Sequence, residues 1–259
     1  MTKAVILAGG LGTRIAEETH LRPKPMIEIG GQPILWHIMK IYACHGIQDF
    51  IVCCGYRGYL IKEYFANYFL HSSDVTFDLA NNRMEVHERH AEPWRVTLVD
   101  TGQDSGTGGR LKRVAGYLKD ESEFCFTYGD GVADVDVTAL LAQHRASGLA
   151  ATITAAVPPA RFGALDVDPQ TGLVRRFREK PQSESASVNA GFFVLKPEVL
   201  ELIDGDADAW EAKPLETLAD RSQLGVYEHP GFWQPMDTLR DRNHLERLWA
   251  EGRAPWKLW

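Results

Sequence analysis

Apolar and polar positions alternate along this chain in a way that predicts strands and helices in turn. Residues 3–7 form a short apolar run ending in glycine, the pattern of a strand buried on both faces. Residues 8–32 are rich in Gly and Pro and read mostly as loop. Pro33 then opens a helical pattern with Ile34, Leu35, Ile38 and Tyr42 on one face, and Gly46 closes it. Residues 50–54 make a second strand. Residues 57–69 make a helix with Tyr64, Phe65 and Tyr68 on one side. Short strands follow at 75–77, 84–86 and 96–99, then a helix at 107–118. A strand at 124–128 stops at Gly129-Asp130-Gly131. Further along come a helix at 136–147, a strand at 150–157, a strand-dominated stretch at 163–195 and a last helix at 238–252. This alternation predicts an α/β fold with a mostly parallel sheet flanked by helices, plus an added strand-rich section, all in one domain over 1–259.

Composition narrows the picture. The chain has 259 residues, 44% of them hydrophobic and 24% charged, which are globular values. Its net charge of −7 argues against a nucleic-acid partner or an anionic membrane held by charge. No run approaches the ~20 apolar residues of a membrane span, and the apolar start is too short for a signal peptide, so a cytoplasmic location is expected. Cys44, Cys53, Cys54 and Cys125 show no zinc spacing and read as small buried residues, with Cys53 and Cys54 on opposite faces of one strand. The stretch 198–220 carries eight acids against Lys213 and reads as a solvated surface. Residues 1–26 differ: Lys3, Arg14, Arg22 and Lys24 against Glu17 and Glu18 make them locally +2.

That basic end holds the first candidate chemistry. Leu7-Ala8-Gly9-Gly10-Leu11-Gly12-Thr13-Arg14 follows a strand, where ligands bind in open α/β sheets and where glycine lets backbone N–H groups approach phosphate. The bland alternative is a tight turn. A Walker loop is excluded because no Gly-Lys occurs, and the dinucleotide fingerprint fails because position 15 is Ile. Pro23-Lys24-Pro25 fixes a lysine in extended backbone, suited to a charge that must be placed accurately. Asp130, between glycines just past a strand, suits a metal-holding carboxylate but also an ordinary turn. Asp237 precedes the last helix and reads equally as its N-cap. Glu179-Lys180-Pro181 is a second lysine fixed by proline, and Asn189 follows in a strand.

The joint order of these motifs resembles the sugar-1-phosphate nucleotidylyltransferases, over essentially the whole chain. Residues 34–40, 63–69, 108–113 and 229–237 are similar to the cytidylyl-transferring branch. Gly106-Thr107-Gly108-Gly109-Arg110 stands where thymidylyl and uridylyl relatives usually carry a Gly-Leu-Ala-Gln-type segment. The resemblance implies a Rossmann-like fold, with a nucleotide-binding half over about 1–135 and a sugar-phosphate and oligomer-contact half over about 136–259. It implies CTP and glucose 1-phosphate as partners, Mg²⁺ as cofactor, and CDP-glucose for surface-polysaccharide precursors as product. It also implies a trimer-based or hexameric homo-oligomer. The implied catalytic set is Arg14, Lys24, Asp130 and Asp237, with Asp130 and Asp237 on the metal. The 7–14 backbone, Lys24, Ser105, Arg110 and Gly129 would bind nucleotide; Gly163, Glu179, Lys180 and Asn189 would bind sugar phosphate. The alternatives are the same chemistry with UTP, dTTP or another sugar phosphate, and a non-catalytic nucleotide-binding subunit. Residues 59–71 and Trp249, Trp256 and Trp259 read either as subunit contacts or as core.

Overall fold

The strand Lys3–Ala8 lies inside a seven-stranded sheet, and its side chains alternate between two hydrophobic cores. Ala4, Ile6 and Ala8 face one core, and Val5 and Leu7 the other. Cys53 and Cys54 divide the same way, so the two-faced burial expected of them is what the computed structural model contains, and Cys125 is buried too; Cys44, expected to be buried, is instead exposed at the last turn of its helix. The structure describes residues 2–87, 91–158, 164–167, 174–178 and 187–259.

Across the sheet the order is Leu224–His229, Ala151–Ala156, Val188–Leu195, Phe124–Tyr128, Lys3–Ala8, Asp49–Cys54, Arg95–Asp100. All neighbours are parallel except that Val188–Leu195 runs antiparallel to both of its partners. Reversal of this one strand has a consequence for the site. Its amino end, carrying Asn189, comes to the edge where the parallel strands present their carboxyl ends.

Helices cover both faces. Ile34–Cys44 starts after Pro33, whose φ of −55° suits a helix entry, and ends before Gly46 at φ +80°. The helix expected over 57–69 is interrupted at Asn67 into Gly58–Ala66 and Tyr68–Ser72. Tyr64, Phe65 and Tyr68 still form one aromatic cluster. The region 8–32 is less loop-like than composition suggests, holding short 3-10 turns at Thr13–Ile15 and Lys24–Met26, a helical turn at Ala16–Thr19 and the strand Glu28–Ile29. Among the C-terminal tryptophans Trp256 is fully buried, while Trp249 and Trp259 pack beside it on the same core. For these three the core reading holds. No helix among the described residues is long and apolar enough to cross a membrane.

Candidate active site

A small ribbon sets the geometry of the two key carboxylates. Gly131–Ala133 pairs antiparallel with Trp233–Pro235, with Gly131 opposite Pro235. Asp130 precedes the first strand and Asp237 follows the second, so the pairing brings two residues 107 positions apart side by side; the Met236 N–H donates to the Asp130 carbonyl at 2.8 Å. Asp237 is not the helix cap that its position allows. Thr238 caps Leu239–Ala250 in a capping box with Asp241, and the Asp241 side chain also accepts from the Asp237 N–H at 3.1 Å. The Asp237 carboxylate is thereby left to face the cleft.

Lys24 reaches both carboxylates. Its Nζ lies 2.6 Å from Asp130 Oδ2 and 2.8 Å from Asp237 Oδ1. Arg14 Nη1 donates to the other Asp237 oxygen at 2.7 Å. Lys24 is 7% exposed. Its backbone is not extended as its flanking prolines suggest. Pro23 is extended, but Lys24–Met26 is a 3-10 turn closed by Met26 N–H to Pro23 O at 2.8 Å and Ile27 N–H to Lys24 O at 3.1 Å. The turn delivers the same rigidity by a different route.

The glycine loop lies against this cluster. Gly12 has φ +63°, and a Cβ there would sit 2.7 Å from Thr19 Cγ2 and 3.2 Å from Lys24 Cβ. Gly10 has open space where a side chain would stand. Under Gly9 lies the Arg110 guanidinium, whose Nη1 donates to Thr101 Oγ1 at 3.0 Å and to Gly102 O at 2.6 Å. Nη2 donates to Gln103 O at 3.0 Å. Arg110 is buried and braces the loop from inside, with its donors directed at protein oxygens.

The opposite wall comes from the acidic stretch read from sequence as solvated surface. Backbone carbonyls of Asp206 and Asp208 accept from the N–H groups of Gly106, Gly108 and Gly109. No Cβ fits at Gly106 or Gly109 against those carbonyls, which explains the run of glycines at the start of the Thr107–Arg113 helix. Trp210 is fully buried, and its backbone N–H donates to Thr107 Oγ1 at 2.8 Å. Glu211 then enters the cleft, accepting from Thr107 Oγ1 and from the Tyr128 hydroxyl, each at 2.5 Å. Asn189 Nδ2 donates to the Tyr128 oxygen at 3.3 Å. Burial, and then the Glu211 charge, push the Tyr128 phenol well above its usual range, so it stays protonated as the donor.

One cleft of about 650 Å³ takes in Leu7, Ala8, Gly9, Gly10, Gly12, Thr13, Arg14, Lys24, Ser105, Arg110, Gly129, Asp130, Asn189 and Asp237. Leu11 instead points outward, 51% exposed. Gly163, Glu179 and Lys180 lie outside the described residues. Sequence reasoning passed over Thr107, Tyr128, Glu211 and Trp233, which also line the cleft. The available signal for Glu211 was its place next to Trp210, a residue that an acidic surface stretch has no reason to carry.

The donor set suits a hard cation. Two carboxylates converge on one point, held here by an ammonium nitrogen, and among the described residues no three His, Cys, Asp or Glu side chains gather to enclose a metal alone. Mg²⁺ binds in this manner, through one or two carboxylates with the rest of its shell from phosphate and water.

A glycine loop at the carboxyl edge of a parallel sheet, a placed lysine and two convergent carboxylates define a site for handling nucleotide phosphates. The chain belongs to the nucleotidyl transferase family, whose model matches residues 3–224. It is 66% identical over 257 residues to the glucose-1-phosphate cytidylyltransferase of Salmonella typhi, covering 99% of both chains. The enzyme of the same name from Salmonella typhimurium is also 66% identical, with the same coverage. Among solved structures, HddC from Yersinia pseudotuberculosis complexed with GMP-PN shares the fold at a TM-score of 0.68. It is 22% identical, and the match covers 96% of this chain and 100% of that one.

Proposed function

We propose that this chain is a cytoplasmic enzyme that joins CTP to α-D-glucose 1-phosphate, giving CDP-glucose and pyrophosphate for surface-polysaccharide precursors. The bridge from Lys24 to Asp130 and Asp237, in a cleft floored by the glycine loop, is the observation that carries this reading. Full-length relatedness to glucose-1-phosphate cytidylyltransferases supports the choice of substrates.

The reaction must bring two anions together. At an effective dielectric of about 20, two like unit charges 4 Å apart repel by about 4 kcal/mol. Placed cations offset this, so the catalytic contribution is positioning and electrostatics. An oxygen of the sugar phosphate attacks the α-phosphorus, forming a new P–O bond as the bond to the bridging oxygen breaks and pyrophosphate leaves. No covalent enzyme intermediate is required.

In this reading the Leu7-to-Arg14 backbone cradles the nucleotide phosphates. Arg14 holds the β and γ groups, and Lys24 neutralises the α group. Asp130 and Asp237 would hold Mg²⁺, which supplies charge neutralisation where the two substrates meet. Ser105 and Gly129 meet the base and ribose, while Arg110, expected from sequence to meet them too, acts from beneath by holding the glycine loop in place. Lys180 grips the sugar phosphate, Glu179 and Asn189 take sugar hydroxyls, and Gly163 lines their side. We read the chain as one domain acting in a trimer-based homo-oligomer, for which Tyr59, Phe69 and Leu70 offer exposed apolar surface. Incubation with CTP, glucose 1-phosphate and Mg²⁺ tests the proposal. CDP-glucose and pyrophosphate must appear in equal amounts, and pyrophosphate without CDP-glucose would refute it.

A further inference from the structure

We propose that Lys24 occupies the metal seat of the resting protein, so that the site refuses a free divalent cation and accepts one only together with the nucleoside triphosphate. This rests on the assignment of Asp130 and Asp237 as the metal carboxylates.

Three observations support it. The Lys24 ammonium stands between the two carboxylates, at 2.6 and 2.8 Å, where a cation bridging them would stand. Its side chain is 9% exposed and rises from a hydrogen-bonded 3-10 turn between prolines, so the backbone is fixed and the ammonium leaves the carboxylates only when another anion takes their place. The charges also balance locally. Two carboxylates meet Lys24 and Arg14, so the cluster offers no net negative charge to an arriving cation. A free divalent ion would meet an ammonium at contact distance and have to displace it from two charge-assisted hydrogen bonds.

A triphosphate changes that balance. Its oxygens accept from Lys24 Nζ and from Arg14, which is 70% exposed and, among the described residues, is ion-paired only with Asp237. Lys24 therefore exchanges carboxylates for phosphate in the same event that opens the carboxylates to the metal. One residue thus couples metal entry to nucleotide entry, which keeps the carboxylates from binding unproductive free metal.

The test uses Mn²⁺ alone, titrated into the full chain without nucleotide or sugar phosphate and followed by electron paramagnetic resonance of the free ion. Wild type should bind weakly. Lys24→Met should bind one Mn²⁺ per chain about tenfold or more tightly, the scale set by removing one adjacent like charge. Lys24→Gln keeps a donor but no charge; it should show the same gain and carries the test if Lys24→Met fails to fold. Adding Asp130→Asn to either variant should abolish the gain. Equal Mn²⁺ affinity in wild type and the neutral variants, or a gain that survives Asp130→Asn, would overturn the proposal. Because the titration contains no nucleotide, its outcome is independent of which base the enzyme uses. Failure of the CTP assignment would leave this result intact, and failure here would leave the overall reaction intact.

Discussion

The Arg110 guanidinium lies so close beneath Gly9 that even a methyl group on Gly9 has no room, whereas Gly10, the next residue, has open space on its side-chain face. Two adjacent glycines thus serve different ends, one structural and one for the ligand. Gly9→Ala should displace Arg110 from its carbonyl partners and cost about 1–3 kcal/mol, the usual scale of overpacking. Gly10→Ala should leave stability within about 0.5 kcal/mol but raise the KM for nucleotide. Urea denaturation of both variants, beside nucleotide kinetics of Gly10→Ala, checks the division.

Asp130 and Asp237 share Lys24, so losing either should have similar consequences. Asp130→Asn and Asp237→Asn should each lower kcat by about 10²–10³-fold, the range for removing one group that stabilises transition-state charge. Lys24→Ala should fall in the same range while the fold persists. Pyrophosphate release, measured beside a thermal melt of each variant, separates lost chemistry from lost structure. Near-normal turnover in any of the three would contradict its assigned role.

Tyr128 and Glu211 should act as a pair. Tyr128→Phe removes the hydroxyl that donates to Glu211 and accepts from Asn189, at a cost of about 1 kcal/mol for a typical hydrogen bond. The expected result is a several-fold rise in KM for sugar phosphate with kcat little changed. Combining it with Glu211→Gln should cost less than the sum of the two single changes, because the second loses a partner already gone. Additive effects would show that the bond contributes nothing to binding.

Stability should fall below neutral pH because of His37. The ring is fully buried; Nε2–H donates to Ile29 O at 2.8 Å, and Nδ1 accepts from the Trp256 indole N–H at 3.3 Å. Burial holds its pKa down at about 4, against the ordinary 6.5. The unfolded chain therefore takes up a proton between pH 6.5 and 4 while the folded chain does not. Stability from this group is complete above 6.5 and declines as pH falls, by about 3 kcal/mol at pH 4. Urea midpoints from pH 7.5 to 4.5 should fall along that slope, to which His45, His144 and His244, also held down by burial, add in the same direction, and His37→Asn should make it shallower while lowering stability throughout.

What the chain discloses before folding follows from how local the physics is. The strand Lys3–Ala8, the Pro33 entry and Gly46 exit of a helix, and the glycine loop all depend on neighbouring residues, and all were legible. Lys24, Asp130 and Asp237 stood out because proline or glycine flanks two of them and a helix start follows the third. Their mutual contact was not legible, since it depends on the Gly131–Ala133 ribbon pairing with a segment a hundred residues away. Glu211 was hidden for a related reason. Seven other acids surround it in the stretch, and only the glycines at 106, 108 and 109 reveal that this segment packs against the cleft wall. Arg110 was legible as a site residue, but its carbonyl partners come from the 101–103 turn, whose shape no spacing rule gives.

A nucleotide panel reads the base preference of the cleft. Wild-type enzyme, glucose 1-phosphate and Mg²⁺ are combined in turn with CTP, UTP, dTTP, ATP and GTP, and pyrophosphate release is followed. CTP should support turnover far above the other four, with CDP-glucose as the sugar product. Inert CTP beside active UTP or dTTP would show that the enzyme does not make CDP-glucose.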